Sequence, residues 1–223
     1  MSKFLSSALV AVVALAFTAP GHAFLIDGFG DAQDEVRVTS TEFLGGTSTK
    51  TGSALAITDT DFVGAMRTLT ATMTGTAGTG GIEADVGGGH YAHSQGSGVF
   101  GYTQVDWFGF DPVDFNPTDS ILISLLSSDL GGQIQLHING ETLTRDLPEV
   151  AHSDPPANVS FALSDFSDVT GITEMWLRVD GTDLADLDLS IGQVEVASPG
   201  VIGLFGAGLL ALGFVGRRRD LQG

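Results

Sequence analysis

From Phe24 to Val196 the chain is patterned with a period of two. Arg67-Thr-Leu-Thr-Ala-Thr-Met-Thr74 alternates apolar and polar side chains, the mark of a strand with one face in a core. Glu35–Thr41, Ile82–Val86 and Val99–Phe110 read the same way. Ile121–Leu126 is a continuous apolar run and predicts a strand covered on both faces. Gln133–Ile138 and Glu141–Leu147 flank Asn139-Gly140, a pair that takes positive φ at low cost and closes a two-residue type I′ hairpin. Asn158–Leu163, Ile172–Val179 and Leu187–Val196 complete the set. Turn clusters separate the runs: Gly45-Gly46, Gly78–Gly81, Gly87-Gly88-Gly89, Gly131-Gly132 and Pro155-Pro156. No stretch between the ends holds a helical period over a useful length. Short strands and frequent turns predict an all-β fold, an antiparallel β-sandwich of jelly-roll type, as one domain over residues 24–196.

The two ends break this pattern. Met1–Ala23 has Lys3, the apolar Leu5–Phe17, a break at Thr18-Ala19-Pro20, and small residues before a cleavage site at Ala23. Those are the parts of a secretory signal peptide. Residues 197–223 form a tail: Ala197-Ser198-Pro199-Gly200, the apolar Val201–Val215, then Arg217, Arg218 and Arg219. Val201–Val215 would make a hydrophobic helix of roughly 22 Å. That is short for a bilayer core of about 30 Å. The arginines would stay cytoplasmic, which puts the body outside the inner membrane.

Charge sharpens this picture. The whole chain carries a formal −18, but the segment from Phe24 to Ser198 carries −21, because it holds only Arg37, Lys50, Arg67, Arg145 and Arg178 as cations. Such a field excludes nucleic acid and repels anionic headgroups. Cysteine is absent, so disulfides, thiolate metal sites and a cysteine nucleophile are excluded.

The tail from Pro199 through Arg219 resembles the PEP-CTERM sorting signal of Gram-negative bacteria: a short proline motif, a Gly/Leu-rich helix and a terminal basic cluster. Ala197-Ser198-Pro199 stands where that family has Pro-Glu-Pro, and Pro199 alone is retained. The resemblance implies recognition by an exosortase, a membrane protease-transpeptidase, and cleavage near Pro199. The protein would be anchored transiently, then released or attached at the cell surface, often in organisms making exopolysaccharide. A simple membrane anchor is the alternative.

The body resembles galactose-binding-like jelly rolls, the fold of many carbohydrate-binding modules. Phe24–Phe29 looks like the opening strand, Phe161–Phe166 and Val169–Val179 like the late strands, and Leu187–Val196 like the closing one. Gly192-Gln193 departs from the Asp-Asn that many relatives carry there. The resemblance implies a structural Ca²⁺ between the first and last strands, with Asp27, Asp31, Asp186 and Asp188 as candidate ligands. For a sugar ligand the candidate aromatics are Trp107, Trp176, Tyr91 and Tyr102. Trp176 alternates with Glu174 and Arg178 on the more polar face of its run and is the stronger candidate of the two tryptophans.

Catalytic motifs are missing. Asp85, His90 and His93 lack the helical spacing of a metalloprotease, and no Gly-x-Ser-x-Gly elbow occurs. Asp180-Gly-Thr-Asp183 opens like a calcium loop but places Leu184 at a ligand position. Three readings remain. The first is an exported, exosortase-processed surface or exopolysaccharide-associated matrix protein without catalytic activity. The alternative is an extracellular carbohydrate-binding module. The third, with the least support in the sequence, is an extracellular glycan-active enzyme.

Overall fold

The alternation seen in the sequence builds two facing antiparallel sheets of seven strands each. In the computed structural model the described residues are 23–198; the signal segment, Pro199, the hydrophobic run and Arg217–Arg219 lie outside them. The first sheet contains β1 (Phe24–Asp27), β2 (Gln33–Thr39), β6 (Gly81–Gly87), β7 (His90–Gln95), β9 (Ser120–Ser128), β12 (Ala157–Ala162) and β14 (Asp188–Ala197). The second contains β3 (Ser48–Thr51), β4 (Leu55–Ala56), β5 (Met66–Thr76), β8 (Val99–Val113), β10 (Gly132–Ile138), β11 (Glu141–Leu147) and β13 (Ile172–Gly181). Their orders are β12-β9-β14-β7-β6-β2, with β1 beside β14, and β11-β10-β13-β8-β5-β3, with β4 beside β5. From β7 onward the chain crosses from sheet to sheet, broken only by the β10–β11 hairpin. This is a jelly-roll-like β-sandwich.

The hairpin has the expected turn: Asn139 and Gly140 both take positive φ, 48° and 84°. Its pairing runs in continuous register from Ile138↔Glu141 to Gly132↔Leu147. β14 divides its outer edge between two partners. Asp188–Ile191 pair with β7, and Val194–Val196 pair with β1.

The core is filled by inward positions of both sheets, with Leu69, Val105, Ile123, Leu136, Leu177 and Ile191 at or near zero exposure. At one end Phe62 stacks on Phe110 with centroids 4.0 Å apart and planes 2° from parallel. Two features differ from the sequence reading. β7 and the short strands β3 and β4 carried no apolar alternation and were not anticipated. β9 is covered on one face only: Ile121, Ile123 and Leu125 are buried, while Leu122 and Leu126 are half-exposed on the outside. Loop residues Asp59 and Asp61 brace the opening strand, through Asp61 Oδ2 accepting from the Leu25 N–H at 2.7 Å and the Asp59 carbonyl accepting from the Gly28 N–H at 3.0 Å.

Candidate functional site

Register separates the two tryptophans. Trp107 pairs with Met175, and Trp176 pairs with Asp106. Because side chains alternate, one step along each strand sends Trp107 inward and Trp176 outward. Trp107 is wholly buried, and its indole N–H donates to Asp27 Oδ2 at 2.8 Å. It is therefore a core residue and presents no surface to a sugar, contrary to the expectation from the sequence. Tyr91 is also wholly buried, its hydroxyl bonded to Thr103 Oγ1.

The four candidate calcium ligands do not converge. Asp27 is held by Arg67 Nη1 at 3.0 and 2.8 Å, by Trp107 and by the Phe29 N–H. Burial pushes its carboxyl up, opposed by the Arg67 charge and these hydrogen bonds. Asp31 accepts from the Thr58 and Asp59 backbone, and mainly the Thr58 bond holds its carboxyl below the usual range. Asp186 and Asp188 accept instead from Gly98 N and Gln95 N. The register explains the separation. Asp27 lies beside Val194, six residues along β14 from Asp188, which is about 20 Å at strand rise. Among the described residues no group of three or more His, Asp or Glu is arranged to hold a metal ion.

What the register does bring together is the outer face of the second sheet. β8 presents Tyr102, Gln104, Asp106 and Phe108, β13 presents Glu174, Trp176, Arg178 and Asp180, and β10 presents Gln135 and His137; all but Glu174, which is exposed, are half-buried. Rows run across these strands: His137–Trp176–Asp106–Thr68, then Gln135–Arg178–Gln104–Thr70. His137 stacks on Trp176 at 4.8 Å, 3° from parallel. The Arg178 guanidinium lies over the Trp176 ring at 4.8 Å and over Tyr102 at 4.0 Å. Its Nε and Nη2 donate to Gln104 Oε1 at 3.0 and 2.7 Å, and Gln104 Nε2 donates to Asp106 Oδ1 at 2.6 Å. Burial pushes the Asp106 carboxyl up; Gln104 and Arg178 pull it down, and Glu174 adds a smaller push upward.

This network fixes long side chains in one arrangement, so little rotamer entropy remains to be lost on binding a ligand. It also revises the platform idea. His137 occupies a face of the indole, so a ligand meets the margin of Trp176 together with polar atoms of its neighbours. Gln104, Asp106, Phe108, His137, Glu174 and Trp176 line a shallow depression of about 350 Å³.

The outer face of the first sheet is different. Arg37, Glu83, Asp85, His90, Ala92, Ser94 and Ser190 face outward there without a large aromatic among them. Its histidine pair is split by the alternation. His90 faces out, while His93 is wholly buried with Nδ1 2.6 Å from Thr103 Oγ1. Asp85, His90 and His93 therefore form no common site.

No protein-family model matches the chain, and no curated protein matches it. Among solved structures it is similar to a family 11 carbohydrate-binding module from Clostridium thermocellum, in complex with a β-1,3-1,4-mixed-linked tetrasaccharide. Identity is 9% over 79% of this chain and 95% of that one, with a TM-score of 0.40. It is also similar to PfGH50B, with 16% identity over 52% of this chain and TM-score 0.35. A third is an exo-β-agarase, with 15% identity over 78% of this chain and TM-score 0.37. The chain spans 21% of PfGH50B and 25% of the agarase.

Proposed function

We propose that the sandwich is an extracellular carbohydrate-binding domain whose site is the outer face of the second sheet, centred on Trp176. The observation that carries this reading is the ordered Tyr102–Arg178–Trp176–His137 array, flanked by the Gln104 amide and the Asp106 and Glu174 carboxylates on an open sheet face. Sugars expose apolar C–H patches edged by hydroxyls. A margin of aromatic surface beside fixed donors and acceptors matches both features. The site lies along the outer face of three adjacent strands, an arrangement that suits a glycan chain laid across them.

The same proposal places the protein outside the inner membrane. Export by the segment ending at Ala23, tail recognition by an exosortase near Pro199 and a cell-surface or exopolysaccharide-associated position follow from the two terminal signals. Support comes from the sequence, in which the period-two pattern runs from Phe24 to Val196 and the two hydrophobic segments flank it. A polysaccharide-binding surface gives such a protein something to hold in a matrix.

The chain from Phe24 to Ser198, which carries all fourteen strands, should be retained by at least one polysaccharide in a broad panel. Trp176→Ala should weaken that retention roughly tenfold or more, on the scale of an interface hot spot. Release of reducing ends by the wild-type domain, or retention indifferent to Trp176, would overturn the reading.

A further inference from the structure

The carbohydrate reading leaves the charge of the ligand open, and the groups around the depression decide it. Two carboxylates line it, those of Asp106 and Glu174. Glu174 sits one residue pair further along the same face, with Glu174↔Phe108 next to Trp176↔Asp106. The nearby cation, Arg178, is held by two bonds to Gln104 Oε1 and lies over two aromatic rings; its charge offsets one of the two carboxylates, and the other leaves the depression net negative. Asp106 uses Oδ1 to accept from Gln104. A half-buried carboxylate with a like-charged neighbour gains from an incoming positive charge, and an anionic ligand would add repulsion to a domain already at −21. Phe108 and Trp176 give the same depression apolar surface, which a small inorganic cation alone would leave unused.

We infer that the ligand is a glycan bearing free amino groups, a partly de-N-acetylated hexosamine polymer. Its ammonium would lie against Asp106 and Glu174 while the pyranose ring contacts the margins of Trp176 and Phe108. This rests on the reading that the outer face of the second sheet binds carbohydrate. An N-acetyl group at the same carbon removes the charge and adds bulk, so the site discriminates between the two states of one sugar. Uronic-acid polymers are rejected by the same carboxylates.

Calorimetric titration of the Phe24–Ser198 domain tests this with four probes: glucosamine oligomers with free amines, the same oligomers N-acetylated, neutral gluco-oligosaccharides and oligo-uronates. The free-amine oligomer should bind best, and Glu174→Gln should weaken it roughly five- to tenfold while changing the N-acetylated oligomer little. Glu83→Gln, an equal loss of charge on the outer face of the other sheet, should leave the affinity unchanged. If Glu83→Gln weakens binding as much as Glu174→Gln, the attraction belongs to the bulk field and the inference falls. If neutral or N-acetylated oligomers bind at least as well, and do so through Trp176, the sheet-face reading stands and the amino-sugar inference is overturned. If none of the four oligomers binds, the amino-sugar inference is overturned, and the sheet-face reading is decided separately by the broad polysaccharide panel and its Trp176→Ala variant.

Discussion

Asp27 ties the opening strand to Arg67 of β5 and Trp107 of β8 inside the core. It is 1% exposed and faces Arg67, itself fully buried, at 2.8 Å. Arg67 also donates to Gln33 Oε1 at 3.0 Å and to the Asp31 carbonyl, so the guanidinium is nearly saturated. A buried ion pair is weak evidence of net stabilisation, but removing one partner strands a charge in the core. Asp27→Ala should therefore lower unfolding stability by about 3–5 kcal/mol in denaturant titrations. A loss below about 1 kcal/mol would show that Arg67 finds water or another partner. Trp107 shares this network, and a one-residue step in register separates its role from that of Trp176. Alternation with Glu174 and Arg178 made the outward face of Trp176 legible. Burial of Trp107 was not legible, because Val105-Asp-Trp-Phe-Gly-Phe110 carries aromatics on both faces; Asp27, its hydrogen-bond partner, is 80 residues away.

The strand that sequence reasoning missed is the most instructive element. β7 points Tyr91, His93 and Gln95 into the core, where alternation rules expect apolar side chains. Their polar atoms are absorbed across the sandwich. The Tyr91 hydroxyl and His93 Nδ1 meet Thr103 Oγ1 on β8, and Gln95 Nε2 reaches the Gly181 carbonyl at 3.3 Å. Gly181 makes room for this amide, since a Cβ would lie 2.2 Å from Gln95 Oε1 and displace the Gln95 side chain. His93 Nε2 and Gln95 Oε1 have no partner within hydrogen-bonding geometry, although the Gln95 side chain and Asp180 both favour the charged ring. Burial outweighs them and lowers the His93 pKa to about 4. A base with a depressed folded-state pKa gives stability that is present above its unfolded value of 6.5 and lost as pH falls through about 4. The stability advantage of the wild type over His93→Gln should shrink by up to about 3 kcal/mol between pH 7 and pH 4. A constant difference across that range would mean that His93 takes up its proton in the fold at the same pH as in the unfolded chain. β10 and β11, by contrast, were readable to the residue at Glu141–Leu147, because Asn139-Gly140 fixes both turn and register. β3 was hidden for a simpler reason: Ser48–Thr51 is an exposed polar edge with no apolar phase.

At the scale of the whole molecule, a jelly-roll-like sandwich of charge −21 lies between two terminal segments for which we propose roles in its address. Fold class was legible from periodicity because it needs only the phase of each strand. The site was only partly legible, because His137, Trp176, Gln104 and Tyr102 come from three strands whose neighbourhood depends on β10-β13-β8 order. The expected calcium cluster failed for the same reason: adjacency of β1 and β14 is real, but the antiparallel register sets Asp27 and Asp188 far apart along β14. For the terminal signals, the protein recovered from the producing cell surface should have an intact mass lacking both Met1–Ala23 and Arg217–Arg219. Retention of the arginines would replace the exosortase reading with a plain membrane anchor. The central claim, a carbohydrate site on the outer face of the second sheet, is tested most directly by mapping backbone amide shifts while an oligosaccharide of a retained polysaccharide is titrated in. Shifts should cluster on Tyr102–Phe108, Gln135–His137 and Glu174–Arg178. Clustering on β6, β7 and β14, or no saturable shifts with any glycan, would contradict the account.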